Sequence, residues 1–161
     1  KEQINKLMKV TFIGSPAVGK TTMLKLLSKD TIDRLYFPTH GFDLKTVKLD
    51  DYYLRIWDLG GQKNYLKACS KDFLLGSDVI FIVTDSTPRN VLNSRELISY
   101  ATHFVGKECP IIAIANKQDL QKNDGRMSPN RVEDILRVHF ETLNFVCDRW
   151  LYDKRLFLEC I

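Results

Sequence analysis

Nine residues near the start of the chain combine glycines, a lysine and hydroxyl side chains at a spacing suited to holding phosphate groups. The stretch GSPAVGKTT covers residues 14–22 and follows the apolar segment MKVTFI. Its order matches the pattern G-x-x-x-x-G-K-[ST]. Between a strand and a helix, the backbone N–H groups of such a loop can turn inward around a polyphosphate, and the positive end of the helix dipole assists them. The sequence therefore predicts a nucleoside triphosphate site.

Each part of this loop has its own expected role. Backbone N–H groups from Ala17 to Thr21 face the phosphates, and Gly19 permits a close approach of the backbone with unusual dihedral angles. The Lys20 ammonium lies on the outer phosphates, where it also serves catalysis, and the Thr21 hydroxyl can bind Mg²⁺. The expected nucleotide contacts in the loop are Gly14, Ala17, Val18, Gly19, Lys20, Thr21 and Thr22.

A second group of polar residues, WDLGGQ at 57–62, follows the strand-like segment YYLRIW. Asp58 is therefore expected at the carboxyl end of a strand, where open parallel sheets bind ligands, and it can hold Mg²⁺ through a water molecule. Gly60 can offer its N–H to the terminal phosphate, and the neighbouring Gly61 is also expected to contact the nucleotide. Gln62 can orient an attacking water, which makes it the second expected catalytic residue.

A third motif, NKQD at 116–119, follows the apolar segment PIIAIA. The Asp119 carboxylate can accept hydrogen bonds from both N1–H and N2–H of guanine, which adenine cannot supply. The Asn116 side chain can reach the other edge of the base. Like the first two motifs, this tetrapeptide follows a predicted strand, so we expect all three at one edge of the same sheet. In that position it favours guanine over adenine as the bound base.

The three motifs require a fold that brings several strand ends together. The apolar segments predict the order β-α-β-β-α-β-α-β-α-β, in which residues 44–49 and 52–57 form a hairpin and the near-continuous apolar runs 78–85 and 110–116 form buried parallel strands. We expect an α/β, three-layer P-loop domain with helices on both faces of a mostly parallel six-stranded sheet that has one antiparallel strand. The sixth strand is predicted at 155–160, and a C-terminal helix is expected to be missing after it.

Two helices in this scheme have clear sequence signals. Residues 20–28 predict a helix with an apolar inner side. A second helical pattern runs from Val132 to Leu143, with Ser128 as its N-cap and Pro129 at its first position.

Composition and charge narrow the remaining classes. The 161 residues are expected to form a single domain, 1–161, and the net charge of +4 is scattered along the chain, which does not indicate a nucleic-acid partner. The cysteines are widely spaced without a CxxC pair, which argues against zinc and against a disulfide framework. Reduced thiols predict a cytoplasmic protein. The four cysteines are Cys69, Cys109, Cys147 and Cys160.

The motifs together resemble those of the Ras-like small GTPases, and most closely those of the Arf and Arf-like branch. The matching stretches, in the order that the family uses, are GSPAVGKTT, FPTHGFDLKTV, WDLGGQ, DVIFIVTDSTPRNVLNSREL and NKQDL. The resemblance implies that Thr39 meets Mg²⁺ and the γ-phosphate, and that Asn116, Lys117 and Asp119 hold guanine. The final ECI resembles the start of the family's last base-binding motif, which places Cys160 and Ile161 near the base.

The implied function is a guanine-nucleotide switch that binds GTP or GDP with Mg²⁺ and hydrolyses GTP slowly. Two switch loops, residues 31–43 and 59–72, are expected to signal the nucleotide state to partners. Mg²⁺ is expected on Thr21 and Thr39, and on Asp58 through water. Tyr36 stands three residues before Thr39, where heterotrimeric Gα subunits keep an arginine. Fast turnover is therefore expected to need an arginine from a partner. The implied partners are an exchange factor, a GTPase-activating protein and effectors, and peripheral membrane association is possible.

Two other function classes remain open at this level. A non-hydrolysing binding module could use the same fold, and Pro16, which has no N–H to offer a phosphate, keeps that alternative in view. A P-loop kinase would need an arginine-rich lid, and none stands out in the sequence. The segments 121–130 and 139–154 are longer than an Arf protein would show, and they are expected to form a partner surface or an extended helix and loop.

Overall fold

The computed structural model describes residues 6–28, 42–49, 52–59, 71–137 and 144–147. The strands are β1 (Lys6–Gly14), β2 (Phe42–Leu49), β3 (Tyr52–Leu59), β4 (Val79–Thr84), β5 (Ile111–Ala115) and β6 (Asn144–Cys147). The helices are α1 (Lys20–Ser28), α2 (Pro88–Phe104), α3 (Gln121–Asp124) and α4 (Pro129–Arg137), with a 3-10 turn at Gln118–Leu120. A further helical turn covers residues 71–74.

The strands form one six-stranded sheet in the order β2-β3-β1-β4-β5-β6. Among the described strands, β2 and β3 run antiparallel, with Phe42 opposite Leu59, and the other four neighbouring pairs are parallel. All six residues of β4 are buried, as a parallel strand covered on both faces requires. The predicted sheet, mostly parallel with one antiparallel strand, is confirmed.

The last strand of the sheet corrects one local expectation. Residues 144–147 lie in segment 139–154, for which a partner surface or an extended helix and loop was expected; instead of helix or loop, these four residues form β6 and pair in parallel with β5, with Ile112 opposite Asn144. This pairing satisfies backbone groups on the outer edge of β5. Helix α4 covers Pro129–Arg137, and the rest of the predicted helical pattern, up to Leu143, lies outside the described residues. The strand predicted at 155–160 lies outside the described residues.

Apolar side chains fill both faces of the sheet. On one face α1 packs its predicted inner side chains, Met23, Leu24 and Leu27, against β1, β3 and β4. On the other face lie α2 and α4, whose buried residues include Ile98 and Leu136. Helices therefore cover both faces, as expected. Among the residues that the structure describes, no helix is long and apolar enough to span a membrane.

The start of α4 follows its sequence signal. The Ser128 hydroxyl accepts a hydrogen bond from the Arg131 backbone N–H at 3.3 Å, and Pro129 is the first helical residue. The predicted N-cap is confirmed. The segment before α4, residues 125–128, lies beside the end of β4, where Met127 N–H donates to the Ser86 carbonyl at 2.8 Å.

Candidate functional site

The predicted phosphate loop connects the end of β1 to the start of α1. Gly14 is the last residue of β1, and a Cβ atom there would overlap the Val83 carbonyl of β4, so the loop leaves the sheet at a point with no room for a side chain. Ala17 and Gly19 have φ angles of 62° and 107°. These left-handed turns coil the backbone between strand and helix, with Thr22 exposed in the first turn of α1.

The Lys20 side chain folds back over this loop. Its ammonium donates to the Gly14 carbonyl at 2.8 Å and to the Ser15 carbonyl at 3.0 Å, and the residue is 6% exposed. Burial lowers the pKa of Lys20 to about 8, against a smaller raising effect of the Asp58 charge. The loop thus holds a buried ammonium group next to the place where the sequence predicts the phosphate oxygens.

Asp58, near the end of β3, meets the first turn of α1. The Thr21 hydroxyl donates to Asp58 Oδ2 at 2.5 Å. The other carboxylate oxygen, Oδ1, is buried and has no hydrogen-bond partner among the described residues. Burial raises the pKa of Asp58, while the Thr21 hydrogen bond and the Lys20 charge act in the opposite direction.

A hydroxyl beside a carboxylate with an unpartnered buried oxygen is a donor set that suits a hard divalent cation. Magnesium prefers oxygen ligands and keeps several waters when it binds one or two protein groups with substrate phosphates. Thr21 and Asp58 therefore fit the predicted magnesium site.

The NKQD segment at the end of β5 is attached to the phosphate loop by two side chains. Asn116 Nδ2 donates to the Val18 carbonyl at 2.8 Å, and Lys117 Nζ donates to the Ala17 carbonyl at 2.6 Å. A Cβ atom at Gly19 would overlap the Asn116 amide, so this approach requires glycine. Asp119 is exposed in the 3-10 turn that follows.

Several residues for which the motifs predict no role also lie at this rim. Ser86, two residues after β4, bonds the Asn116 carbonyl through its hydroxyl and accepts from the Met127 N–H of segment 125–128 through its own carbonyl. Gln118 donates to the Ser86 hydroxyl, and Arg126 donates to the Asp85 carbonyl. Asn93 of α2 lies 3.4 Å from the Ser15 hydroxyl. Ser86 and Asn93 lie within the family-like stretch 78–97 and Gln118 lies within NKQD, but neither pattern assigned a role to these side chains.

The remaining predicted site residues lie outside the part of the chain that the structure describes. They are Thr39, Gly60, Gly61, Gln62, Cys160 and Ile161. The structure therefore brings together the phosphate loop, Asp58 and the NKQD segment. The roles of the switch residues, of the glutamine and of the chain end stay predictions.

Comparison with known proteins agrees with this geometry. The model of the ADP-ribosylation factor (Arf) family matches residues 1–152. ADP-ribosylation factor-like protein 2 of Drosophila melanogaster is 31% identical over 140 residues, which are 84% of this chain and 72% of that protein. ADP-ribosylation factor-like protein 3 of Chlamydomonas reinhardtii is 34% identical over 116 residues, 70% of this chain and 63% of its own length. The chain therefore belongs to the Arf family of GTP-binding small GTPases, in its Arf-like branch.

Proposed function

We propose that the protein is a molecular switch that binds GTP or GDP with Mg²⁺ and hydrolyses GTP slowly. One observation carries most of the proposal: Asn116 and Lys117 reach the backbone of the phosphate loop at 2.8 and 2.6 Å. A loop suited to guanine and a loop suited to phosphates are thereby fixed to each other. Family membership supports the same function.

The described residues divide the work of binding. The N–H groups from Ala17 to Thr21 and the Lys20 ammonium hold the phosphates, and Asp119 reads the base through N1–H and N2–H. Thr21 and Asp58 hold the metal, and Thr39, which lies outside the described residues, is proposed as a further ligand. When bound, Mg²⁺ supplies neutralisation of charge that builds on the phosphate oxygens.

Hydrolysis in this scheme depends on positioning and charge rather than on covalent chemistry. Gln62 orients the attacking water, and the Lys20 ammonium stabilises negative charge as the terminal phosphate leaves. Because Tyr36 occupies the place of the intrinsic arginine of Gα subunits, intrinsic turnover is slow. A GTPase-activating partner supplies an arginine or an equivalent charge.

Nucleotide state is reported by two loops. The γ-phosphate draws Thr39 and Gly60 inward and so orders segments 31–43 and 59–72, and hydrolysis releases them. Arf-family GTPases generally act through exchange factors, GTPase-activating proteins and effectors, and we propose the same classes of partner here. Association with the periphery of membranes is part of the same proposal.

Two measurements on the purified chain test this function. The dissociation constants for GDP and ADP are compared first, and we expect a strong preference for GDP; equal affinities would overturn the proposal. Single-turnover hydrolysis of GTP is then measured with and without Mg²⁺ for the native chain, Gln62→Leu and the control Gln121→Leu, whose glutamine is exposed.

We expect Mg²⁺-dependent turnover that Gln62→Leu reduces by about a hundredfold, since a positioned group that handles the attacking water contributes on that order. The control should keep the native rate. Guanine preference without turnover would overturn the hydrolytic part and would instead support a non-hydrolysing binding module.

A further inference from the structure

Ser86 has an unusual position at the end of β4. It is fully buried, and its φ angle of 67° lies in the left-handed region, which costs free energy for a residue with a side chain. Its hydroxyl donates to the Asn116 carbonyl at 2.8 Å. Its own backbone N–H is bonded to the Thr84 hydroxyl at 3.2 Å. A strained, buried residue with bonds on several sides indicates that the surrounding structure holds it firmly.

Gln118, the third residue of NKQD, extends the same network. Its side-chain amide donates to the Ser86 hydroxyl at 2.7 Å and to the Met127 carbonyl at 3.3 Å. Met127 N–H returns a bond to the Ser86 carbonyl at 2.8 Å. Ser86, Gln118 and Met127 therefore tie together the end of β4, the 3-10 turn and the segment before α4. We call these three residues the clasp.

An ion pair closes the clasp on its outer side. Arg126 donates to the Asp85 carbonyl at 2.8 Å, and its guanidinium lies 3.3 Å from the Asp85 carboxylate. Both side chains are nearly buried, at 13% and 11% exposure. The Asp85 carboxylate also accepts from the Thr87 N–H and hydroxyl at 3.1 and 2.7 Å. The segment before α4 is thus fixed by polar contacts of both Arg126 and Met127.

We propose that Ser86 and Gln118 are positioning residues for guanine recognition, because the clasp sets the place of the base-binding loop relative to the sheet. The inference rests on the proposed function, in which Asp119 binds the base. Asn116 and Asp119 flank the anchored stretch: the Asn116 carbonyl receives the Ser86 hydroxyl, and Gln118 immediately precedes Asp119.

The geometry of the turn explains why this anchor matters. Lys117 adopts a left-handed conformation with a φ angle of 59°, so the chain reverses between Asn116 and Gln118. The turn is only three residues long, and Asp119 is exposed in it. The position of the Asp119 carboxylate therefore depends on the side-chain bonds of Gln118. Loss of those bonds should weaken contacts to the base and leave the phosphate contacts intact.

Comparing GDP with inosine diphosphate gives the test its specificity, because inosine keeps N1–H but lacks the 2-amino group. The variants are Gln118→Met, which keeps the side-chain length without its hydrogen bonds, and Ser86→Gly, which removes the hydroxyl and suits a positive φ angle. The control is Thr102→Val, since Thr102 is exposed on α2 and bonds only its own helix at 2.7 Å among the contacts described. Urea unfolding is measured for each variant.

We expect GDP affinity to fall by about tenfold in both variants, the size expected for one hydrogen bond to a charged group, and affinity for inosine diphosphate to fall by clearly less. Discrimination between the two nucleotides would then narrow. Equal losses for both nucleotides, or none, would overturn the positioning role and leave a structural role only. The proposed function is tested separately, by the preference of the unaltered chain for GDP over ADP.

Discussion

Replacement of Gly19 by alanine tests the closest approach in the site. The φ angle of 107° at Gly19 lies beyond the left-handed well that alanine can occupy, and an added Cβ would overlap the Asn116 amide. The Asn116 side chain would then have to leave the Val18 carbonyl, to which it donates at 2.8 Å. The substitution therefore strains the backbone and also breaks the link between the two loops.

The expected magnitude follows from these two effects. A residue held in a sparsely populated backbone region costs about 1–3 kcal/mol. Loss of the Asn116 hydrogen bond adds about 1 kcal/mol. We expect Gly19→Ala to lower the free energy of unfolding by about 2–4 kcal/mol, the sum of the two. Gly76 provides a matched control, because its φ angle is 72° and nothing lies within 4 Å of an added Cβ. Gly76→Ala should cost only about 1–2 kcal/mol.

The assay is urea unfolding of nucleotide-free protein, so that bound ligand adds no stability by mass action. A double-mutant cycle with Asn116→Ala isolates the steric overlap. Without the Asn116 amide, Gly19→Ala should cost about 1 kcal/mol less than in the native background. Equal losses for Gly19→Ala and Gly76→Ala, together with strict additivity in the cycle, would refute the reasoning.

Three further predictions concern charge and capping. Folding lowers the pKa of Lys20 from an ordinary 10.5 to about 8, so between these pH values the folded chain binds fewer protons than the unfolded chain. The free energy of unfolding should therefore rise with pH in this range. Urea unfolding at several pH values should show this rise for the native chain and not for Lys20→Met. Asp58→Asn removes a carboxylate that is proposed to hold the metal, so the GDP affinities measured with Mg²⁺ and with EDTA should become nearly equal; a preserved difference between them would remove Asp58 from the metal site. Ser128→Ala should lower the free energy of unfolding by about 1 kcal/mol, and no loss would show that its 3.3 Å bond caps nothing.

Local signals in the sequence were sufficient for much of the fold around the phosphate loop. Helix α1 has the predicted bounds, 20–28, because an apolar face and a preceding glycine-containing loop both mark it. The hairpin was also predicted, but each strand extends two residues further than expected. Phe42 pairs with Leu59, and its ring lies 5.3 Å from Trp57 and 4.7 Å from Phe73. That extension depends on a contact with a residue distant in the chain.

The sixth strand and the clasp depended on information that local patterns do not contain. Residues 144–147 follow an apolar pattern of helical period, and a short apolar segment does not by itself distinguish strand from helix. These residues become a strand because the outer edge of β5 offers backbone groups with which they pair. Ser86 and Gln118 are likewise ordinary polar residues in the sequence, and their roles arise only where the ends of β4 and β5 meet.

The attachment of NKQD to the phosphate loop has a consequence for synthesis on the ribosome. The bonds from Asn116 and Lys117 join residues 98 and 100 positions apart. Because translation releases the chain from its N-terminus, β1, α1 and the hairpin emerge well before β5. A nascent chain halted before residue 116 has every residue of its phosphate loop but lacks the two bonds from the NKQD segment. We therefore expect these two bonds to hold the loop only once β5 has joined the sheet.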